Sequence, residues 1–303
     1  MRFALTILGV NAASPAFGRF PTSQVLQFDN HFFLLDCGEG AQMRMSDYNI
    51  PRHKIHQIFI SHLHGDHVFG LPGLLFSLDL SGRQTPLDIY SPAGLDAMIA
   101  AQLRPGGSLS FPINFQEVDT QKAGLVFENK NISVESIPLQ HGIPTVGYIF
   151  REKPRPLNVL PEKISEYQLT IPQIKAAKAG QNIVLDNGQV IENEVLTLPP
   201  MPLRSYGFLT DTLCVESNLP HLEGLTLLYH DTTFCEDHAE NASLTLHSTV
   251  KQAAALAKKA KVGRLLTGHY SSRYKDLNVF LEEAQSVFPN TTLGLEGATY
   301  EIE

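Results

Sequence analysis

The chain has 303 residues, of which 43% are hydrophobic, and its formal net charge is −8 at pH 7. This length provides enough apolar surface for one large domain or two small ones. The negative charge disfavours a nucleic-acid binder that works by bulk electrostatics, but it allows one whose basic residues are gathered near a site.

The first predicted element is a strand, because FALTIL (3–8) alternates in a strand-like way. The apolar run behind Arg2 is only about eight residues long, which is short for a secretory signal. No apolar stretch approaches the roughly 20 residues that a membrane helix needs, so no membrane partner is expected. Cys37, Cys214 and Cys235 form no CxxC motif, which favours a cytosolic protein with reduced thiols.

Further along the chain, short apolar runs repeatedly end in Asp or His. Runs of four to eight residues with this composition are typical of strands. They occur in FFLLDCGEG (32–40), IFISHLHGDH (58–67), ISVESIPLQHG (132–142), YGFLTDT (206–212), LTLLYHDTTF (225–234) and RLLTGHYSSRY (264–274). The six strand ends predict that these Asp and His side chains converge at one edge of the sheets.

Stretches with helix-like apolar spacing lie between these runs. They are GAQMRMSDY (40–48), LPGLLFSLDLSG (71–82), AGLDAMIAAQL (93–103), HSTVKQAAALAKKA (247–260) and DLNVFLEEAQSVF (276–288). Strands interleaved with amphipathic helices predict an α/β protein whose sheets are covered by helices.

Residues 151–204 interrupt this alternation. Proline is frequent there, the apolar runs are short, and LDNGQVI (185–191) predicts a small hairpin with an Asn-Gly turn. The segment carries seven basic and six acidic residues. We interpret it as an insertion that projects from a single domain spanning residues 1–303; a packed subdomain that completes the core is the alternative.

The histidine-rich stretch HLHGDH (62–67) follows a predicted strand directly. In an extended segment His62 and His64 point the same way, and Gly65 allows a turn that brings Asp66 and His67 towards a second point. Imidazole and carboxylate donors suit Zn²⁺, and the absence of cysteine argues against a purely structural site. Ordinary surface or core histidines are the alternative, but this crowding favours metal.

The HLHGDH motif resembles the signature of the metallo-β-lactamase superfamily. GLPGLL (70–75) narrows the resemblance to the ribonuclease Z branch, endonucleases that mature the 3′ end of transfer RNA, and LLDCGEG (34–40) resembles the first motif of that family. The resemblance implies an αββα sandwich with two mixed sheets face to face and helices outside. It also implies a homodimer that cuts precursor tRNA with two zinc ions per chain.

The same resemblance assigns roles to particular positions. One zinc ion would be held by His62, His64 and His141. The other would be held by Asp66, His67 and His269. Asp211 would bridge the two ions. Asp36 would hold one of the ligand side chains in position without contacting a zinc ion itself.

The resemblance also implies a catalytic group formed by Asp66, His247 and Asp231. A hydroxide between the zinc ions would attack phosphorus, with Asp66 orienting it or accepting its proton. His247 resembles the general acid that protonates the departing 3′ oxygen. Asp231 stands where the family usually has Glu, so we expect a longer or differently angled contact with His247. A helix N-cap or a surface role is the alternative for His247.

Two places are candidates for RNA contact. Arg273 could face phosphate near the metals. The tip of the inserted arm, residues 171–180, keeps Lys175 and Lys178 but lacks the Gly-Pro pair of long-arm members, and residues 14–21 depart from the usual Pro-x-Lys-x-Arg-Asn pattern. The resemblance implies that the arm is a candidate RNA-binding exosite, and Lys175 and Lys178 are the best candidates for its phosphate contacts.

Two other functions compete with this interpretation. The metals could serve a small phosphodiester, or a thioester as in other branches, although HDTT (230–233) and HST (247–249) count against the thioester. Alternatively, the protein could bind RNA without catalysis, but every predicted ligand position holds a competent residue.

Overall fold

The computed structural model describes residues 1–103 and 107–303, and within them the strands form two seven-stranded sheets and a two-stranded ribbon. The strands are β1 (Phe3–Gly9), β2 (Ser23–Phe28), β3 (His31–Cys37), β4 (Ile55–Phe59), β5 (Leu87–Ser91), β6 (Ile113–Glu117), β7 (Gly124–Glu128), β8 (Ile132–Leu139), β9 (Thr145–Glu152), β10 (Ile183–Val184), β11 (Val190–Ile191), β12 (Ser205–Leu209), β13 (Leu227–Asp231), β14 (Arg264–Gly268), β15 (Thr291–Leu293) and β16 (Thr299–Glu301).

Both large sheets are mixed. The first has the order β16-β1-β2-β3-β4-β5-β6, with antiparallel pairs from β16 to β3 and parallel pairs from β3 to β6. The second has the order β15-β14-β13-β12-β9-β8-β7, in which β12 to β15 are parallel and β9 is antiparallel to β12.

The helices predicted from apolar spacing are all present. The α-helices are α1 (Ala41–Asp47), α2 (Gly65–Val68), α3 (Leu71–Leu80), α4 (Leu95–Leu103), α5 (Pro161–Glu166), α6 (Ile171–Lys178), α7 (Asn193–Leu196), α8 (Leu219–Leu222), α9 (Ala239–Leu244), α10 (Val250–Lys259) and α11 (Asn278–Gln285). Across the described ranges, none of these helices combines the length and the apolar character required to cross a bilayer.

Aromatic side chains join the two large sheets face to face. The Phe33 ring of β3 lies 5.6 Å from the Phe150 ring of β9, and the Phe59 ring of β4 lies 5.1 Å from the Tyr148 ring of β9. Helices supply the outer layers: α1 and α3 contribute Met45 and Leu74 to a buried apolar cluster with strands of the first sheet, and α10 packs against β13 and β14 of the second. The predicted αββα sandwich is confirmed.

The chain divides into two compact units. One comprises residues 1–128, 134–151 and 204–303, and the other comprises residues 129–133 and 152–203. The second unit contains the predicted hairpin, β10 and β11, and has an apolar cluster of its own. The buried members of that cluster are Leu169, Ala177, Ile183, Ile191 and Leu196. The segment interpreted as an insertion therefore buries a small core within itself.

Gly70 lies where the chain leaves the histidine motif for α3, and its missing side chain is required there. A Cβ atom at Gly70 would lie 2.1 Å from the carbonyl oxygen of Gly38 and 2.8 Å from that of Cys37. Because both obstacles are backbone atoms, we expect Gly70→Ala to lower the free energy of unfolding by about 1–3 kcal/mol. Urea denaturation of metal-stripped protein measures this effect. Gly124→Ala is the matched control, since a Cβ there meets open space, and equal midpoints for the two variants would contradict the prediction.

Candidate metal centre

Asp and His side chains stand at the ends of strands in both sheets, either in the last residues of the strand or just after it. They are Asp36 in β3, His62 after β4, His141 after β8, Asp211 after β12, Asp231 in β13 and His269 after β14. The carboxyl ends of neighbouring parallel strands meet at one edge of a sheet, which is where ligands bind in open α/β sheets. The convergence predicted from the sequence is present in the structure.

The first group of donors consists of His62, His64, His141 and Asp211, whose ligand atoms lie within 4.8 Å of one another. His62 Nε2 lies 3.0 Å from His64 Nδ1, which in turn lies 3.3 Å from His141 Nε2. Asp211 Oδ2 approaches His62 Nε2 at 3.6 Å and His141 Nε2 at 3.7 Å. Three imidazoles and a carboxylate are a donor set that suits Zn²⁺.

The second group consists of Asp66, His67 and His269. Asp66 Oδ2 lies 3.4 Å from His67 Nε2 and 3.8 Å from His269 Nε2. The other oxygen of Asp211, Oδ1, lies 3.2 Å and 3.0 Å from the same two nitrogens. Asp211 therefore faces both groups, one oxygen to each, and the structure brings every predicted ligand together.

Two buried nitrogens in the second group lack a hydrogen-bond partner within the described part of the chain. They are His67 Nε2 and His269 Nε2. A buried polar atom is rarely left unpartnered in a native protein, because the loss of its water costs free energy. Both nitrogens face the Asp66 and Asp211 carboxylates. These residues fit a cation that would complete the contacts.

The opposite nitrogen of each buried ligand ring is held by a neighbour. His67 Nδ1 lies 2.7 Å from Asp36 Oδ2, and His269 Nδ1 lies 2.9 Å from Thr233 Oγ1. His62 Nδ1 lies 2.9 Å from the Ser61 hydroxyl. Such contacts fix the ring orientation and turn Nε2 towards a metal. The sequence analysis missed Ser61 and Thr233 as orienting residues, although Ser61 directly precedes HLHGDH and Thr233 belongs to HDTT.

The charge of the site also suits cations. Burial chiefly lowers the pKa of His62 and of His141, so both rings are neutral and able to act as ligands. Burial opposes protonation of His67 as well, yet the Asp211, Asp36 and Asp66 carboxylates raise its pKa well above its usual value. Three carboxylates around one imidazole attract positive charge, which bound metal would supply.

The backbone is strained at three of these positions. Asp36, Asp211 and His269 have φ values of 51°, 48° and 59°. Residues other than glycine rarely adopt this left-handed conformation, and each costs about 1–3 kcal/mol. The conformation occurs where the chain leaves the strand ends, so the strain accompanies the turn of each side chain into the site.

His247 and Asp231 form a direct hydrogen bond beside the two donor groups. His247 Nδ1 lies 2.7 Å from Asp231 Oδ2, so the shorter side chain of Asp231 does not lengthen the contact. Asp231 is held by the backbone N–H groups of Thr212 and Thr233, at 3.0 Å and 2.8 Å. The N-cap of α10 is Thr249, which excludes the capping role for His247.

The environment of His247 keeps its ring protonated. Burial alone would lower the pKa of His247, but the Asp231 carboxylate, by its charge and its hydrogen bond, raises that pKa to about 9. The His247 side chain is 14% exposed, so its free nitrogen can be reached from outside. A protonated imidazole next to two cation-binding groups is suited to donate a proton to a departing oxygen.

The remaining candidate residues lie on the surface. Arg273 is exposed after His269, and Lys175 and Lys178 are exposed on α6 of the second unit. Within residues 1–103 and 107–303, no metal-ligand group includes any of five further histidines: His31, His53, His56, His221 and His238.

Comparison with known proteins connects this geometry to a family. The family model described as "Anti-Pycsar protein Apyc1" matches residues 3–153. The chain is 40% identical to ribonuclease Z of Bacteroides fragilis over 296 residues, which cover 97% of each protein. It is also 40% identical to ribonuclease Z of Cytophaga hutchinsonii, covering 100% of this chain and 97% of that protein.

A solved structure supports the same relationship. The crystal structure of human tRNase Z, short form, superimposes with a TM-score of 0.71 and 25% sequence identity, covering 99% of both chains. Identity of 40% over nearly the full length of both chains reaches well beyond the histidine motif that the superfamily shares. The chain belongs to the ribonuclease Z family.

Proposed function

We propose that this protein is a metal-dependent endoribonuclease that removes the 3′ trailer from precursor tRNA. Cleavage leaves a 3′-hydroxyl on the tRNA and a 5′-phosphate on the trailer. The observation that carries the proposal is the pair of His/Asp groups that share Asp211, with the His247–Asp231 pair beside them. Membership of the ribonuclease Z family supports the choice of substrate.

We propose two zinc ions as the cofactors. His62, His64 and His141 would hold one ion, while Asp66, His67 and His269 would hold the other. Asp211 would contact both, because each of its oxygens faces a different group. When bound, the ions would supply an activated water and neutralise charge on the phosphate.

His247 would act as the general acid. When the bond from phosphorus to the 3′ oxygen of the tRNA breaks, that oxygen needs a proton, and the free nitrogen of His247 can supply it. Asp231 positions the ring through Nδ1 and keeps it charged. Asp66 Oδ2 faces His67 and His269, and from there the carboxylate can orient the attacking water.

A different use of His247 is also geometrically possible, since Asp211, His247 and His269 form a third set of donors within 4.8 Å. Asp211 and His269 already belong to the proposed ligands of the two ions, so this third set adds only His247. The Asp231 carboxylate favours the protonated ring. We therefore assign His247 to proton donation.

The direct test is cleavage of a precursor tRNA that carries a 3′ trailer, with wild type and Asp66→Ala compared side by side. We expect a product that ends at the base of the acceptor stem from wild type and no product from the variant. If wild type binds two metal ions and hydrolyses a chromogenic phosphodiester but leaves precursor tRNA intact, a small phosphodiester is the substrate instead. Tight RNA binding without cleavage of either substrate would favour the inactive RNA-binding alternative.

We propose the second unit as an RNA-binding exosite that acts through Lys175 and Lys178. Both lie on α6, three residues apart, so they share one face of the helix. Replacing both with alanine should raise KM for precursor tRNA and reduce the slope of log KM against log salt concentration by about 1–2. Hydrolysis of a chromogenic phosphodiester should not change.

Lys163→Ala is the matched control for these variants, because Lys163 lies in the same unit with its ammonium group 2.6 Å from Glu166. Equal KM values and salt slopes for all the lysine variants would count against the exosite. Arg273, exposed after His269, is the corresponding candidate for phosphate contact near the metals.

We also propose that the protein acts as a homodimer in the cytoplasm, where its thiols Cys37, Cys214 and Cys235 stay free. The family resemblance supports the dimer, in which the arm of one subunit would help to seat RNA on the other. Sedimentation of the full chain at micromolar concentration tests this assembly, and a monomer that cleaves precursor tRNA at full rate would refute it.

A further inference from the structure

A backbone N–H group from the start of the chain reaches the candidate second metal group. Ala13 donates its N–H to Asp66 Oδ2 over 2.8 Å. The same oxygen faces His67 and His269. The bond therefore acts on the atom of Asp66 that points at the cation position, and the mechanism derived above does not use it.

Ala13 has to be held in place to make this bond. Its φ is 59°, a left-handed conformation that is unfavourable for alanine by roughly 1–2 kcal/mol. Nearby contacts hold the loop of residues 11–20, which we call the amino-terminal loop. The buried Asn11 donates from Nδ2 to the carbonyl oxygen of Ser14 over 2.5 Å, closing a turn around Ala13.

Arg19 links this turn to the segment that follows His269. Its Nε donates to Asn11 Oδ1 over 3.0 Å. Its Nη2 donates to the carbonyl oxygen of Tyr274 over 2.5 Å, and its Nη1 donates to that of Lys275 over 3.2 Å. A planar guanidinium can make all three contacts at once, whereas a lysine ammonium lacks that fixed geometry.

The amino-terminal loop is also tied directly to the residue after His269. Ala12 donates its N–H to the carbonyl oxygen of Tyr270 over 2.9 Å. Tyr270 in turn donates its backbone N–H to the carbonyl oxygen of Val10 over 2.8 Å. One loop therefore contacts Asp66 on one side and the chain beyond His269 on the other. Asp66 is a member of the second group, and Tyr270 directly follows another member, His269.

We propose that Asn11 and Arg19 are positioning residues for the second metal group, acting through the Ala13 N–H on Asp66. This inference rests on the proposed dinuclear site. The loop sets where Asp66 Oδ2 lies relative to His67 and His269, so that the carboxylate is oriented before an ion arrives. The first group, built on His62, His64 and His141, has no described contact with this loop and should not depend on it.

The test measures zinc affinity directly. Metal-stripped protein is titrated with zinc in competition with a chromogenic chelator. In Arg19→Ala the affinity for one ion should fall about 10- to 100-fold while the other stays at the wild-type value. The affinity of Arg19→Lys for the same ion should lie between those of Arg19→Ala and wild type. Arg2→Ala, which removes an exposed arginine paired with Glu301, is the matched control.

A double-mutant cycle shows whether the effect passes through Asp66. Adding Arg19→Ala to Asp66→Ala should weaken zinc binding no further than Asp66→Ala alone, because both changes remove the same contact. Additive losses would overturn the route through Asp66. Wild-type affinity for both ions in Arg19→Ala, or equal losses at both, would overturn the positioning role.

A second variant, Asn11→Asp, tests the same positioning role if Arg19→Ala does not fold. Asn11→Asp keeps the oxygen that faces Arg19 but removes the donor to Ser14, and it is judged by the same selective loss of one ion. Failure of wild type to bind two ions would refute the proposed dinuclear site instead, so the two failures are distinguishable.

Discussion

Replacing His247 with alanine is expected to slow cleavage of precursor tRNA by about 10²- to 10⁴-fold, the usual contribution of a general acid. The bound metal should not change, because His247 is not among the proposed ligands of either zinc ion. Single-turnover kinetics with metal analysis measures both quantities. Wild-type rates in this variant would refute the assignment.

The choice of leaving group provides a control for the same variant. Nitrophenolate departs without a proton. The rate at which His247→Ala hydrolyses bis(p-nitrophenyl) phosphate should therefore fall far less than its rate of cleavage of precursor tRNA. Equal losses on both substrates would indicate a damaged site rather than a missing acid. His53→Ala, which changes an exposed histidine outside the metal groups, should behave as wild type.

The pH dependence of the wild type follows from the same contact. A general acid must be protonated, so the rate should fall as pH rises through the pKa of His247, which Asp231 raises to about 9. Asp231→Asn removes the charge and should move this alkaline limb to lower pH. A pH–rate profile of both proteins on precursor tRNA tests the shift, and an unchanged limb would contradict it.

Replacing Asp211 with alanine is expected to abolish cleavage and to release metal from both groups. Asp211 Oδ1 lies 3.0 Å from His269 Nε2, whereas Oδ2 lies 3.6 Å from His62 Nε2. No other carboxylate in residues 1–103 and 107–303 belongs to the first group, so its loss leaves three imidazoles without a negative partner there. Metal analysis after dialysis measures the outcome.

Two comparisons sharpen the Asp211 experiment. Asp231→Asn removes a neighbouring buried charge that lies outside the proposed ligands, and it should retain both ions. Circular dichroism of the metal-stripped proteins shows whether the fold survives in each variant. Retention of two ions by Asp211→Ala would refute the bridging role.

The elements of the fold could be predicted to a large extent from local sequence patterns. The five amphipathic segments became α1, α3, α4, α10 and α11, and the Asn-Gly turn lies between β10 and β11. Period-2 and period-3.6 patterns report the buried face of each element, and that information is local. The boundaries of the second unit differ from the predicted insertion, since residues 129–133 join it. Nothing in that short stretch signals the association.

The sequence by itself determined which residue types stand at the strand ends and how the His and Asp side chains of HLHGDH divide between two donor groups, because spacing along one segment decides these features. Tertiary structure alone decided that Asp211 faces both groups, that Asp231 reaches His247 at 2.7 Å, and that Ala13 meets Asp66. Asp231 and His247 are 16 positions apart in the sequence, and Ala13 and Asp66 are 53 apart. Asp211 and His62 are further apart still. The distances of these contacts depend on how two twisted sheets pack and on left-handed backbone turns, neither of which leaves a local pattern in the sequence.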